Sequence, residues 1–144
     1  MAHSVQVVID AHDPDELSGF WAAALGYVKE PPPGGFGSWE DFLRQMGVPE
    51  ADWNSRGAVV DPEGVGPRLF FQMVPEPKTV KNRVHLDIRT GTGPDAEAGL
   101  RRTRIDAKVQ ELLALGATLF REVEEMGEYW VVLQDPEGNE FCVT

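Results

Sequence analysis

The spacing of apolar residues changes period along this chain, and each change marks an element. Val5 to Ile9 is a β-branched run that predicts a strand. Asp13-Pro14-Asp15-Glu16 predicts a helix start: Asp13 caps, Pro14 fits the first turn, and Glu16 stands at the capping-box position. Leu17, Phe20, Trp21, Ala24 and Leu25 follow on one helical face, and Gly26 ends it. Residues 31–57 lose this periodicity: Pro31-Pro32-Pro33-Gly34-Gly35 breaks it, and Ser38 then caps a short helix bearing Trp39, Phe42, Leu43 and Met46. Strands are predicted at Val59-Val60 and at Leu69 to Val74, separated by an Asp61-Pro62-Glu63-Gly64 turn. Pro75-Glu76-Pro77-Lys78 reads as a linker.

The same order then recurs. Arg83 to Ile88 predicts a strand, and Pro94 to Ala114 a helix with Ile105, Val109, Leu112 and Leu113 on one face and Gly116 at its end. Thr118 to Val123, Tyr129 to Gln134 and Glu140 to Thr144 predict three further strands, the last preceded by an Asp135-Pro136-Glu137-Gly138 turn. Val7-Val8-Ile9-Asp10 aligns with Val84-His85-Leu86-Asp87, Ala24-Leu25-Gly26 with Ala114-Leu115-Gly116, and the first Asp-Pro-Glu-Gly turn with the second. Three matches in one order point to a duplication with a repeat of about 75–90 residues, too long for a solenoid. The expected fold class is α+β, with two related modules in one domain over residues 1–144. Module 1 spans about 4–78 with the irregular insert 31–57, and module 2 about 82–144.

Composition narrows the function. The 144 residues carry 13 basic and 24 acidic side chains, a net charge of -11 that repels nucleic-acid phosphates. Arg101, Arg102 and Arg104 form the densest basic patch and read as a solvated helix face. No apolar run approaches a membrane span, and no secretory leader is expected. A lone cysteine, Cys142, excludes an internal disulfide and suits a cytoplasmic location.

Asp13 through Phe20-Trp21 to Leu25-Gly26, Asn82-Arg83-Val84-His85-Leu86-Asp87, and Asp135-Pro136-Glu137-Gly138-Asn139 together resemble the vicinal oxygen chelate superfamily. Its members include glyoxalase I, extradiol dioxygenases, fosfomycin-resistance enzymes and bleomycin-resistance proteins, and the glyoxalase-like wording fits best. The resemblance implies two βαβββ modules forming an open, barrel-like sheet around a small-molecule cavity, and a homodimer. It also implies four metal-ligand positions, which fall on Gln6, Gln72, Arg83 and Cys142. Arg83 is a permanent cation and both usual carboxylates are missing, so no family-type divalent metal and no other cofactor is expected.

Strand alternation puts Arg83, His85 and Asp87 on one face, and Glu140, Cys142 and Thr144 on another. The expected ligand-binding set is Gln6, Gln72, Arg83, His85, Asp87, Trp130 and Cys142, with His85, Arg83 and Glu140 as candidate catalytic groups. His85 is suited to acid–base work, and Arg83 to clamping an anionic or carbonyl oxygen. An internal ion-pair network is the structural alternative for the same residues. For Trp130 the pattern leaves core and cavity open, and for the aromatic insert a lid or a satellite cluster. The expected function is small-molecule binding, with metal-independent lyase or isomerase chemistry on an oxygenated metabolite. The alternatives are ligand sequestration without chemistry and, third, a metal-dependent glyoxalase or dioxygenase.

Overall fold

Local capping signals place the first helix. In the computed structural model, which describes residues 1–144, Asp13 Oδ1 accepts the Glu16 N–H at 3.1 Å and Gly26 closes the helix at φ 71°. This helix, α1 (Pro14–Leu25), buries Leu17, Phe20, Trp21 and Ala24, the face given by their spacing. It follows β1 (Val7–Ala11) and precedes β2 (Val28–Lys29), α2 (Trp39–Gln45), a 3₁₀ turn (Glu50–Ser55), β3 (Arg56–Val60) and β4 (Leu69–Met73). These elements belong to one compact unit, Met1–Pro77. A second unit, Lys78–Thr144, holds β5 (Asp87–Ile88), α3 (Ala98–Ala114), β6 (Thr118–Glu125), β7 (Glu128–Gln134) and β8 (Glu140–Val143). The break falls in the predicted proline-rich linker.

Each unit has one four-stranded mixed sheet. The order is β1-β4-β3-β2 in the first and β5-β8-β7-β6 in the second, with the outer pairs β1/β4 and β5/β8 parallel. The two orders are equivalent, so the duplication read from the sequence is a structural repeat; in the first unit it includes β2, which no sequence signal marked. In the first unit Val59, Leu69 and Phe71 are buried on the sheet, which α1 packs against. Gly57 allows that approach: a Cβ there would meet Ser18 Oγ at 3.3 Å and Pro14 O at 3.4 Å. In the second unit Ile105, Val109 and Leu112 of α3 are buried, as are Val131, Leu133, Phe141 and Val143 of the sheet. The paired turns also match. Asp61 accepts from the N–H groups of Glu63, Val65 and Gly66, and Asp135 from those of Glu137 and Asn139. Gly64 and Gly138 take positive φ in them, 71° and 86°.

Several element bounds differ from the sequence expectation. β1 starts at Val7 rather than Val5, β3 at Arg56 rather than Val59, and α3 at Ala98 rather than Pro94. The predicted strand Arg83–Ile88 shrinks to Asp87–Ile88 at the sheet edge. Ahead of it, Glu140 accepts the Asn82 backbone N–H at 3.0 Å. The insert 31–57 is more ordered than its composition suggests. Phe36 and Trp39 each pack edge-on to Phe42, and Trp39 and Trp53 donate to Glu30 O and Val48 O. Asn54 ties the insert to the start of α1, donating to Asp13 Oδ1 at 2.8 Å and accepting from Asp15 N at 2.9 Å. That is the geometry of a satellite cluster on the first unit.

Candidate functional site on the second sheet

The register of β5 on β8 sets the site. Asp87 pairs with Cys142, and the Cys142 N–H donates to Leu86 O at 3.0 Å. Phe141 and Val143 belong to the core face of β8, so alternation turns Glu140 and Cys142 to the opposite face. Val131 and Leu133 of β7 likewise leave Trp130, Val132 and Gln134, all half-buried, on that opposite face. His85 Nε2 lies 3.4 Å from Asp87 Oδ1, and both side chains are near half exposure, 44% and 46%. One ligand atom each from His85, Asp87 and Cys142 falls within 4.8 Å of the other two.

Electrostatics differ sharply across this face. Burial pushes the Cys142 thiol above its ordinary value, and Asp87 adds to the effect against the smaller opposing pull of Lys81 and Arg121. Burial also acts to raise the Glu140 carboxyl, but the Asn82 N–H and Lys78, 3.2 Å away, outweigh it and hold the group below its usual value. Glu140 is therefore an ionised anchor between β8 and the segment entering β5.

A family model described as the glyoxalase-like domain matches residues 6–144. The chain belongs to that family. Solved structures agree on the fold. A glyoxalase/bleomycin resistance protein/dioxygenase family enzyme from Burkholderia phytofirmans superposes with a TM-score of 0.62 at 18% identity, over 96% of this chain and 94% of its own. The fosfomycin resistance protein FosX from Listeria monocytogenes gives 0.63 at 8% identity, over 99% and 92%. At such identities the likeness concerns the fold alone. No curated protein matches the sequence.

In this glyoxalase-like domain the four positions implied for a family metal hold two amides, a guanidinium and a thiol, and neither usual carboxylate. Gln6 Oε1 accepts from Arg68 Nη1 at 2.8 Å. Gln72 Nε2 donates to Asp10 Oδ1 at 2.9 Å. Arg83 is exposed in the bend before β5 and carries a fixed positive charge. Cys142 stands beside His85 and Asp87, one ligand atom of each lying within 4.8 Å of the others. The structure thus brings together His85, Asp87 and Cys142, with Glu140 and Trp130 on the strands beside them. Gln6 and Gln72 sit in hydrogen bonds of the first unit.

Two features were not foreseen from sequence. Arg121 reaches the field of Cys142 because β6 carries a register shift between Leu119 and Arg121 that sets Arg121 opposite Val132. No sequence signal marks that bulge. A separate cleft of about 660 Å³, lined among others by Arg89, Thr90, Arg101, Arg102 and Tyr129, contains none of the expected site residues. Its Arg102 stacks on the Tyr129 ring at 4.1 Å and bonds Glu124 at 3.3 Å, while Arg101 lies 4.0 Å from Glu128. Two arginines of the basic patch, Arg101 and Arg102, are thereby matched by local acids.

Proposed function

We propose that this glyoxalase-like domain binds a small oxygenated metabolite on the polar face of its second sheet and acts on it as a metal-independent lyase or isomerase. The observation that carries this reading is the His85–Asp87 pair beside buried Cys142. A carboxylate beside an imidazole orients the ring for acid–base work. The outward half of His85 is open to a ligand. Arg83, exposed two residues earlier, supplies a planar cation for a carboxylate or carbonyl oxygen at the rim. Half-buried Trp130 offers an apolar surface, and Glu140, occupied by Asn82 and Lys78, positions the strand that bears Cys142. Binding without chemistry uses the same face and predicts saturation without turnover.

The test is a panel of small 2-oxo and 2-hydroxy acids, followed for binding and conversion with the full chain, His85→Ala and Arg83→Ala. For a converted substrate, loss of His85 is expected to lower the rate by about 10²–10⁴-fold. Loss of Arg83 is expected to weaken binding. If both variants bind and turn over like the parent, neither residue has the assigned role.

A further inference from the structure

We propose that the cleft between the loop after β5, the start of α3 and the β6–β7 hairpin binds a small organic phosphate. Arg89 and Arg101 hold the phosphate group, with the Thr90 and Thr92 hydroxyls beside them. This goes beyond the small-molecule reading of the strand face, because the cleft contains none of Arg83, His85, Trp130 or Cys142. All its walls belong to the second unit.

The cleft has the right size. Its volume of about 660 Å³ falls inside the range of about 300–1,000 Å³ typical of small-ligand sites. Glycines keep it open. A Cβ built at Gly93, Gly99 or Gly127 meets nothing within 4 Å, so no neighbour fills the space beside them. Ile105 and the Tyr129 ring give the cleft apolar surface for the organic part of a ligand.

Charge selects an anion. Three arginines against two glutamates leave the lining side chains with a positive balance, on a chain whose net charge is -11. The three guanidinium groups are unequally committed. Arg102 is locked, stacked on Tyr129 at 4.1 Å and bonded to Glu124. Arg101 has only a 4.0 Å pair with Glu128, whose side chain is 68% exposed. Such a pair contributes little, so a ligand anion displaces it readily. Arg89 is exposed and pairs with no acidic side chain. The hydroxyls add donors. Thr90 and Thr92 Oγ1 lie 3.5 Å apart, both residues half-buried. One proton at most lies between the two oxygens, so the second is available to a ligand oxygen. A phosphate monoester presents three terminal oxygens to this set, one more than a carboxylate, and a guanidinium fork takes two of them at once.

The experiment titrates the isotopically labelled full chain with glycerol 3-phosphate and follows backbone amide shifts, with glycerol and malonate as neutral and carboxylate controls. Saturable shifts are expected at Thr90, Gly99 and Gly127 below about 10 mM ligand, weakening as salt rises. His85 and Cys142 should stay unmoved, which separates this outcome from the fate of the strand-face reading. Glycerol should shift none of these amides, and malonate should bind more weakly than the phosphate. Arg89→Ala should weaken binding by about tenfold or more. Gly99→Glu should abolish it by setting an anion in the open space there, and the fold is spared because Gly99 is exposed and its backbone helical. The proposal is overturned by an absence of saturable shifts, by shifts confined to His85 and Cys142, by glycerol or malonate acting as well as the phosphate, or by affinity unchanged in both variants.

Discussion

The two halves of this domain share a scaffold and differ in what it displays. Asp10 and Asp87 occupy equivalent places in the repeat, and each faces a partner on the parallel strand beside it: Gln72 in the first unit, Cys142 in the second. Two residues earlier stand Val8 and His85. In the first unit the Gln72 amide bonds Asp10, and Val8 adds no polar atom, so the group is closed on itself. In the second unit a nitrogen, an oxygen and a sulfur converge without a direct amide partner of that kind. The duplicated strand order thus supplies equivalent positions, and a few side chains decide which copy carries chemistry.

The largest expected effect tests whether the scaffolds are equivalent. Trp21→Ala in the first unit and Phe141→Ala in the second each empty a fully packed site, and each should cost about 3–5 kcal/mol in urea unfolding. A cost under about 1 kcal/mol in either would mean that unit's core is not built as described.

Helix capping separates the halves on a smaller scale. α1 has a side-chain cap in Asp13, whereas Glu97, at the same position before α3, makes no side-chain cap bond. Asp13→Ala should cost about 1 kcal/mol, and Glu97→Ser should gain up to about 1 kcal/mol. The Asn54 amide, followed by the Glu16 N–H, holds the Asp13 carboxyl below its ordinary value of 3.8. Its contribution is therefore present above that value and lost as pH falls through the lower folded value. Acid unfolding of Asp13→Ala should show a shallower loss over that window than the parent.

The smallest effect is spectroscopic. Each half sets a tyrosine near an aspartate, Tyr27 by Asp61 and Tyr129 by Asp106. Burial, then the hydrogen bond to Asp106, pushes the Tyr129 phenol up to about 12. Stability from the neutral phenol is thus complete below the ordinary value of 10 and lost as pH rises through about 12. Ultraviolet titration should show no tyrosinate from Tyr129 at pH 10, and Asp106→Asn should bring its ionisation lower.

Much of this was legible in the residues. Asp13, Gly26 and the two Asp-Pro-Glu-Gly turns carry their own local hydrogen bonds, so short-range signals place them. The apolar faces of α1 and α3 follow from helical spacing. The site was only partly legible. His85, Asp87 and Cys142 could be put on faces by alternation, but their meeting depends on the register of β5 on β8, a long-range property. Arg83 was expected within a strand, and the Asn82–Glu140 contact beside it spans 58 residues. Arg121 depends on a bulge with no composition cue.

The most direct test of where the chemistry lies is backbone amide shift mapping of the labelled chain with a mixture of small 2-oxo and 2-hydroxy acids. Shifts are expected at His85, Asp87, Trp130 and Cys142, with Asp10 and Gln72 unmoved. Shifts centred on Asp10 and Gln72, with the β5–β8 pair silent, would contradict the assignment.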